Sequence, residues 1–499
     1  MDKLKNIRQK IDRLDYKIMS SLDKRFTLVK EIGELKRTVN LPANDQKREK
    51  EIIDKIAKYQ YADFIEPLYQ AIFKDAKSLQ AQYFLALKNG KYSYSKIFHE
   101  RLGNKAYNLY EGEKLLPLII NNKPIGINVS NPLKKEAFRL CNDLTKEAKN
   151  TGIVNLMTKK GNYYLGDNTD PLAFERLLQY YHINVKGQNI IILGNGATSK
   201  SVSYCLKRLG ANSITKLVRT KRDEDEILIS EMPYNLSADI MINCTPYDLY
   251  PDFIKEPLID IHKNLDLKVF IDVNYNPHRS SLFLAAEKRG LKCYNGLMML
   301  IQNALISEEL WQNKDFLPIY AKSLMQEQLN KLNIVLIGQT LSGKTTVSKG
   351  LSFVLKKDYY DTDQIIFNIN ELNLEEKHDL EIFREKEAEV INQLAKKQNA
   401  IISIGAGAIL NDDNINYLKR NGILVFLDLP LDDLLERYTP KIRPLLSSVD
   451  DLKEMYDKRQ NLYLENCDLR VSITKNQTIS DIIEKILESL HEYFNHQWL

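Results

Sequence analysis

The sequence predicts a multidomain chain: an all-α module first, then an α/β module in two halves, then a second α/β module built on a phosphate loop. Three observations carry this. A chain of 499 residues exceeds what one hydrophobic core can organise and implies roughly three domains. Apolar residues step by threes and fours over the first part of the chain, to about residue 84. Beyond it, short apolar runs alternate with helical stretches, the signature of a mostly parallel sheet, and that pattern starts afresh after residue 331.

Composition narrows the class. A hydrophobic fraction of 43% is ordinary for a globular chain. The net charge of +5 is small for this length and points to anionic small molecules at least as much as to nucleic acid, which needs a clustered basic face. Five cysteines (Cys141, Cys205, Cys244, Cys293, Cys467) are scattered, odd in number and never in CxxC spacing. That excludes a disulfide framework or zinc site and predicts a reducing cytoplasm. The start, MDKLKNIRQKID, is charged and helical in pattern, unlike a signal peptide. No apolar run approaches the ~20 residues that cross a bilayer. No nucleic acid and no membrane are expected as partners.

In the first module Leu4, Ile7, Ile11, Leu14, Ile18, Leu22, Phe26, Val29, Ile32 and Leu35 mark one helix, with no proline before Pro42. At 1.5 Å per residue it spans roughly 50 Å, too long to bury itself in a small domain, so it should pack against a partner chain. Helical patterns follow at about 45–58 and 62–84, the first capped by Asn44 or Asp45. Arg25 and Lys36, eleven apart, share a face, whereas Arg8 lies roughly 100° from Arg25. The series IRQKIDRLD…KR…ELK…NDQKRE resembles the all-helical chorismate mutase over residues 1–84. That family is an intertwined homodimer in which one arginine comes from the other subunit; by motif order it is Arg8. The resemblance implies that Arg25, Asp45, Arg48 and Glu49 bind chorismate and that Lys36 and Gln80 donate to its ether oxygen. Ala76 stands where the family pattern has serine. The rearrangement needs no nucleophile, only a held conformer and stabilised charge. A charged helical dimerisation or regulatory element is the alternative reading of the same residues.

The middle module contains IILGNGATSK, 191–200, which reads as strand, glycine turn and helix. GxGxxS alone fits a dinucleotide, another phosphate ligand or none, and its spacing to Lys200 rules out GK[ST]. Its surroundings say more. SYSKIFH places Ser93 and Ser95 in SxSxxxH; GINVSNPLK gives Asn128, Ser130 and Lys134; TGIVN gives Asn155; and GDNTD gives Asp170. Then follow INCTP, DVNYNP with Tyr275, and GLMMLIQNA. In that order the motifs resemble shikimate dehydrogenase, over 85–316: a catalytic half at about 85–185, and a Rossmann half at about 186–285 with return helices to 316. The resemblance implies that Lys134 and Asp170 form the proton-transfer pair. It likewise gives Ser93, Ser95 and Tyr275 to the substrate carboxylate and Ser130 and Asn155 to its hydroxyls. Asn303 stands where the family has glutamine, and its shorter amide reaches substrate only through a helix shift or a water. Gly194, Asn195, Gly196, Ala197 and Thr198 would take the cofactor pyrophosphate. NAD sites place an acid about 20 residues past the glycines; here the chain reads Val218-Arg219-Thr220-Lys221-Arg222. Arg219 and Thr220 match the family's NADP version, Asn-Arg-Thr, and Arg219 suits a 2′-phosphate. NADP(H) is therefore expected, with an NAD-dependent quinate/shikimate dehydrogenase as the alternative, since Asp223 to Glu226 could neutralise these cations.

Residues 317–331 carry no strand and read as a helical linker. Beyond them GQTLSGKT fits GxxxxGK[ST] after the apolar run IVLI. Gly338, Ser342, Gly343, Lys344, Thr345 and Thr346 would cradle ATP, with the Thr345 hydroxyl on Mg²⁺. DTD, FREKE, GAG, RPLL and KRQNLYLENCD follow and, with this loop, resemble shikimate kinase over 332–499. That resemblance gives Asp363 to the acceptor hydroxyls, Arg384 and Arg459 to the carboxylate, Asp361 to the Mg²⁺ side, and Arg443 to a lid approaching ATP. The family's GGG is Gly405-Ala406-Gly407 here. The whole reads as a cytoplasmic multifunctional enzyme of aromatic biosynthesis: chorismate mutase, NADP-dependent shikimate dehydrogenase and P-loop shikimate kinase, acting on chorismate, 3-dehydroshikimate and shikimate.

Overall fold

The apolar stripe at the start forms one continuous helix in the computed structural model, α1 (Asp2–Thr38), about 55 Å long at 1.5 Å per residue. The structure describes residues 2–38, 45–80, 83–87, 94–104, 107–233, 236–254, 256–262, 266–369, 377–439 and 448–498. α2 (Gln46–Ile56) starts on Asp45, whose carboxylate accepts from Arg48 N at 3.1 Å, as an N-cap should. α3 (Ala62–Gln80) packs beside α1, and a Cβ on Gly33 would stand 2.9 Å from Gln80 Cα, so this approach requires glycine. Val29, Ile56, Phe73 and Ala76 are buried here, while Leu4, Ile7, Ile11, Leu14, Ile18, Ile32 and Leu35 stay exposed. The third helix, expected to run to 84, stops at Gln80. The run YFLAL instead becomes β1 (Tyr83–Leu87), with four of its five side chains buried, because a fully apolar run suits an inner strand better than a one-sided helix.

The chain folds into two compact units: Met1–Asn184, Ala197–Leu209 and Met299–Leu317 in one, and Val185–Gly196, Gly210–Met298 and Pro318–Leu499 in the other. The first holds a mixed sheet of β1, β2 (Tyr107–Glu111), β3 (Gly126–Val129), β4 (Asp143–Leu144), β5 (Leu156–Lys160) and β6 (Tyr163–Asp167), in the order β2-β1-β3-β5-β6-β4. β5 runs antiparallel to both neighbours, joined to β6 through Gly161 at φ 61°. Its core gathers Phe84, Ile127, Val129, Leu133, Ala137, Val154 and Met157.

The second unit holds two parallel sheets. β7 (Asn189–Leu193), β8 (Ser213–Val218), β9 (Ile227–Leu228), β10 (Ile240–Asn243), β11 (Val269–Asp272) and β12 (Lys292–Asn295) are ordered β12-β11-β10-β7-β8-β9. The chain therefore reverses direction across the sheet between β7 and β10, and ligands bind at the carboxyl ends of strands at such a switch point. β13 (Asn333–Ile337), β14 (Asp358–Asp361), β15 (Ala400–Ser403), β16 (Gly422–Asp428) and β17 (Leu469–Ser472) are ordered β14-β15-β13-β16-β17, with the phosphate loop leaving the central strand. Val335, Ile337, Ile366, Ile402, Leu424, Phe426 and Tyr463 form its core. The stretch read as a linker contains the helix Pro318–Leu329, which buries Ala321, Leu324, Met325 and Leu329.

Candidate active sites

Two helix starts build the site of the first unit. Lys134 opens the helix Lys134–Leu140 after β3, and Asp170 opens Asp170–Tyr180 after β6. Both side chains are buried, and Lys134 Nζ donates to Asp170 Oδ2 at 2.6 Å. The other carboxylate oxygen accepts from Asn155 Nδ2 at 2.8 Å and Asn303 Nδ2 at 3.1 Å. Thr169 locks both amides: its N–H donates to Asn155 Oδ1 at 2.8 Å and its hydroxyl to Asn303 Oδ1 at 2.6 Å. Asn303 thus donates directly to Asp170. Ser130 lies at the end of β3 and donates to Ala86 O at 3.1 Å. Ser95 is buried, its hydroxyl 3.3 Å from Tyr107 Oη. Tyr107 donates to Asn128 at 2.7 Å, Asn128 to Ser307 at 2.8 Å, and Ser307 to the Asn303 carbonyl at 2.7 Å. Burial holds the Tyr107 phenol well above its ordinary range, so it stays a donor. Under this chain His99 Nδ1 lies 2.5 Å from Glu308, and its ring stacks on Tyr107 at 3.9 Å. The His of SxSxxxH is therefore a support for the site. Ser93 lies outside the described residues.

In the helical module Arg25 and Lys36 lie half-buried on α1, while Arg8 is exposed. Arg25 Nη1 is buried with no hydrogen-bond partner among the described residues. Gln80 lies against Gly33, a residue within about 80° of both Arg25 and Lys36 around the helix. Asp45 caps α2, Arg48 is exposed and pairs with Glu51 at 2.9 Å, and Glu49 is half-buried.

The glycine turn of the second unit follows β7. Gly194 sits at φ 97°, and a Cβ there would stand 3.0 Å from Thr245 Cγ2. A Cβ on Gly196 would meet nothing, so the chain itself leaves that space open to a ligand. Ala197 and Thr198 begin the helix Ala197–Arg208. Arg219 and Thr220 are exposed past the end of β8. Asn195 Nδ2 donates to Thr220 O at 3.0 Å and to Glu226 Oε2 at 2.9 Å, and Arg222 N donates to the same oxygen at 2.7 Å. Burial opposes charge on Glu226, but these donors outweigh it and hold the carboxyl below its ordinary range. Glu226 is thus committed to shaping the loop. Tyr275 is half-buried after β11.

In the phosphate loop Lys344 Nζ bonds to Gly338 O and Gln339 O, both at 2.9 Å, and Gly338, Leu341 and Gly343 take positive φ. Ser342 is buried in the loop, and Thr346, in the first turn of the helix Lys344–Leu355, donates its N–H to Gly343 O at 3.1 Å. Thr345 Oγ1 donates to Asp361 Oδ2 at 2.9 Å. One hydroxyl beside one carboxylate is the sparse set Mg²⁺ accepts when phosphates and waters complete its octahedron. Among the described residues no cluster of three or more His, Cys, Asp or Glu could hold a metal by itself. A Cβ on Gly405 would collide with the Asp363 carboxylate, and one on Gly407 with the Arg384 guanidinium. Alanine is therefore confined to the middle position, where the Ala406 carbonyl accepts from Tyr463 Oη at 2.7 Å. Arg384 donates to Glu387 at 2.7 Å, and burial raises the Glu387 carboxyl above its ordinary range. Arg459 is buried, which lowers its affinity for its proton, and its Nε has no hydrogen-bond partner among the described residues. Arg443 lies outside the described residues. Tyr107, Ser307 and Glu226 have roles that no local sequence pattern signals, while Thr169 and Glu387 lie inside GDNTD and FREKE beside the residues those motifs single out.

The chorismate mutase type II family model matches residues 7–81, and the shikimate kinase model matches 341–491. A shikimate kinase of Clostridium botulinum (strain Okra / Type B1) is 42% identical over 139 residues, covering 26% of this chain and 82% of that protein. An NADP(+) shikimate dehydrogenase of Caldicellulosiruptor saccharolyticus is 29% identical over 200 residues, 38% of this chain and 72% of that protein. A solved chorismate mutase/shikimate 5-dehydrogenase fusion protein from Clostridium acetobutylicum is 26% identical, with a TM-score of 0.44 over 50% of this chain and 96% of that one. The chain belongs to the shikimate kinase family through residues 341–491 and carries a chorismate mutase type II module and a shikimate dehydrogenase module ahead of it.

Proposed function

We propose that this one chain rearranges chorismate to prephenate, reduces 3-dehydroshikimate to shikimate with NADPH, and phosphorylates shikimate to shikimate 3-phosphate with ATP. The observation that carries the reading is the buried Lys134–Asp170 pair, fixed by Asn155 and Asn303. Reducing a ketone requires a proton at oxygen as hydride reaches carbon, and NADPH supplies that hydride when bound. Lys134, as an ammonium, gives its proton to the nascent alkoxide: the O–H bond forms as the N–H bond breaks, and solvent reprotonates the amine. Asp170 aims Lys134 and holds the substrate hydroxyl beside it. Ser95 takes the carboxylate, and Ser130 and Asn155 the remaining hydroxyls. Arg219 and Thr220 favour the 2′-phosphate of NADPH.

In the kinase, Asp363 orients the attacking hydroxyl, Arg384 and Arg459 clamp the acceptor carboxylate, and Lys344 neutralises phosphate oxygens. Mg²⁺ at Thr345 and Asp361 would offset phosphate charge during transfer. In the mutase, Arg25 offers to a carboxylate its Nη1, which has no hydrogen-bond partner among the described residues. Arg8 serves the site of a second copy, so the helical module is a homodimer joined through the exposed stripe of α1. The helical module ends at Gln80, β1 (Tyr83–Leu87) opens the dehydrogenase module, which runs to about 316, and the kinase module is 332–499. No helix among the described residues is long and apolar enough to cross a membrane. The test supplies the full chain with 3-dehydroshikimate and NADPH, then ATP, and separately chorismate. Failure of NADPH loss, phosphoryl transfer or prephenate formation overturns the corresponding activity.

A further inference from the structure

Two arginines cross in opposite directions inside the second unit, between the NADP-binding half and the kinase module. Arg279, on the loop after β11, sends its guanidinium into the kinase: to Lys419 O at 2.8 Å, Gly422 O at 2.6 Å and the Asp468 carboxylate at 2.6 and 2.9 Å. Arg420, at the end of the helix Asp412–Asn421, reaches back: its Nη1 pairs with Asp248 and its Nη2 donates to Ile254 O at 2.7 Å. Arg279 N also donates to Arg420 O at 3.0 Å. Beside them Trp498 lies against His278 (ring centroids 4.6 Å apart) and stacks on Phe283. Arg279, Arg420 and Asp248 are all buried, so each pair depends on its partner for solvation.

Asp248 lies on the loop that leaves β10. It adopts φ 61°, an uncommon conformation for a residue with a Cβ, which its surroundings must enforce. Its carboxylate accepts from Ile254 N at 2.6 Å and Ser281 N at 2.5 Å, so it ties the loop after β10 to the loop after β11. Both loops are at strand carboxyl ends next to the switch point between β7 and β10. The start of the same loop, Thr245, touches the glycine turn at Gly194. A second network agrees: Asp272 accepts from Asn243 and Ser280, and Asn274 donates to Thr245 O at 2.9 Å. The wall facing the turn is thus fixed on one side by the dehydrogenase sheet and on the other by an arginine of the kinase.

We propose that Arg420 of the kinase module is a positioning residue for the dehydrogenase: through Asp248 it fixes the loop after β10 against the glycine turn that holds NADPH. This rests on assigning the NADPH pyrophosphate to the Gly194 turn. The test uses the full chain with Arg420→Met, Arg420→Lys, Asp248→Asn and, as a check of the cofactor assignment, Arg219→Ala. NADPH affinity is read directly from the change in its fluorescence on binding, and kinase turnover is followed in the same samples. Arg420→Met weakens NADPH binding about tenfold, since a misplaced wall costs contact geometry, and raises KM for NADPH more than it lowers kcat. Kinase kcat is retained, Arg420→Lys recovers part of the affinity, and the Asp248→Asn/Arg420→Met double variant is no weaker than the worse single one. Unchanged NADPH affinity in Arg420→Met, with weakened affinity in Arg219→Ala, overturns the positioning role alone. Parallel loss of kinase turnover in both Arg420 variants overturns it too, because the residue then serves only general stability. Intact NADPH binding in Arg219→Ala as well as Arg420→Met removes the cofactor assignment and the proposal together.

Discussion

The Lys134–Asp170 cluster and the cations of α1 are proposed to take the same kind of ligand, a carboxylate-bearing ring, yet they are built in opposite ways. Lys134 is buried and engaged at 2.6 Å, and Asp170 has donors on both oxygens. On α1, Arg8 is exposed, Arg25 has a buried Nη1 with no hydrogen-bond partner among the described residues, and ten large apolar side chains are exposed. The first has its described charged pair satisfied within one copy. The second has charge and apolar surface to spare, as expected of half an interface. The difference teaches where to look for assembly: satisfied polar groups mark a finished site, and uncovered apolar stripes mark one that waits for a partner.

The largest effect should come from the finished site. Lys134→Met is expected to lower dehydrogenase kcat about 10³-fold with kinase and mutase turnover intact, since a positioned proton donor contributes about that much. A loss below tenfold would mean that solvent can replace it. The unfinished site should break by mixing as well as by mutation. Arg8→Ala and Arg25→Ala chains are each inactive as mutases, yet after subunit exchange a mixture should regain about a quarter of full activity, because half the dimers then carry one intact site of two. No regain would place both arginines in one copy and erase the contrast. Leu14→Glu, on the exposed stripe, should convert dimer to monomer in sedimentation and abolish mutase activity while sparing the dehydrogenase.

Arg219→Ala should raise KM for NADPH about tenfold and leave KM for NADH unchanged, through loss of a charge-assisted bond to the 2′-phosphate. Equal effects on both cofactors would refute that role. The smallest effect concerns pH. Burial, helped by Arg279, depresses the His278 pKa from 6.5 to about 3, so the unfolded chain takes up this proton first. Its stabilising contribution is full above pH 6.5 and is lost as pH falls toward 3, which at pH 5 amounts to about 2 kcal/mol. Urea unfolding at pH 8 and pH 5 should show this loss in the parent chain and a smaller one in His278→Gln.

Much of this was legible because the chemistry is local in sequence. GxxxxGKT, GINVSNPLK and GDNTD each place their reactive residue in one short stretch, and parallel strands announce themselves as apolar runs. The supporting residues gave no such signal. Tyr107 and Ser307 meet Asn128 through bonds that span 21 and 179 positions, and each of these two is an ordinary polar residue in its own neighbourhood. Glu226 was misleading, since beside Arg222 it reads as a neutralising surface charge, yet it is buried and committed to Asn195 and the Arg222 backbone. The hairpin of β5 and β6 escaped because Thr158, Lys159, Lys160 and Asn162 interrupt the apolar pattern that marks the other strands.

The contact of Trp498 with Phe283 has a consequence in time. During synthesis Phe283 leaves the ribosome 215 residues before Trp498 does. At ordinary elongation rates that interval is roughly 10–40 s. For nearly all of that time the nascent NADP-binding half carries an uncovered aromatic patch, a transient client for chaperones, although its own six strands, ending at Asn295, are already made.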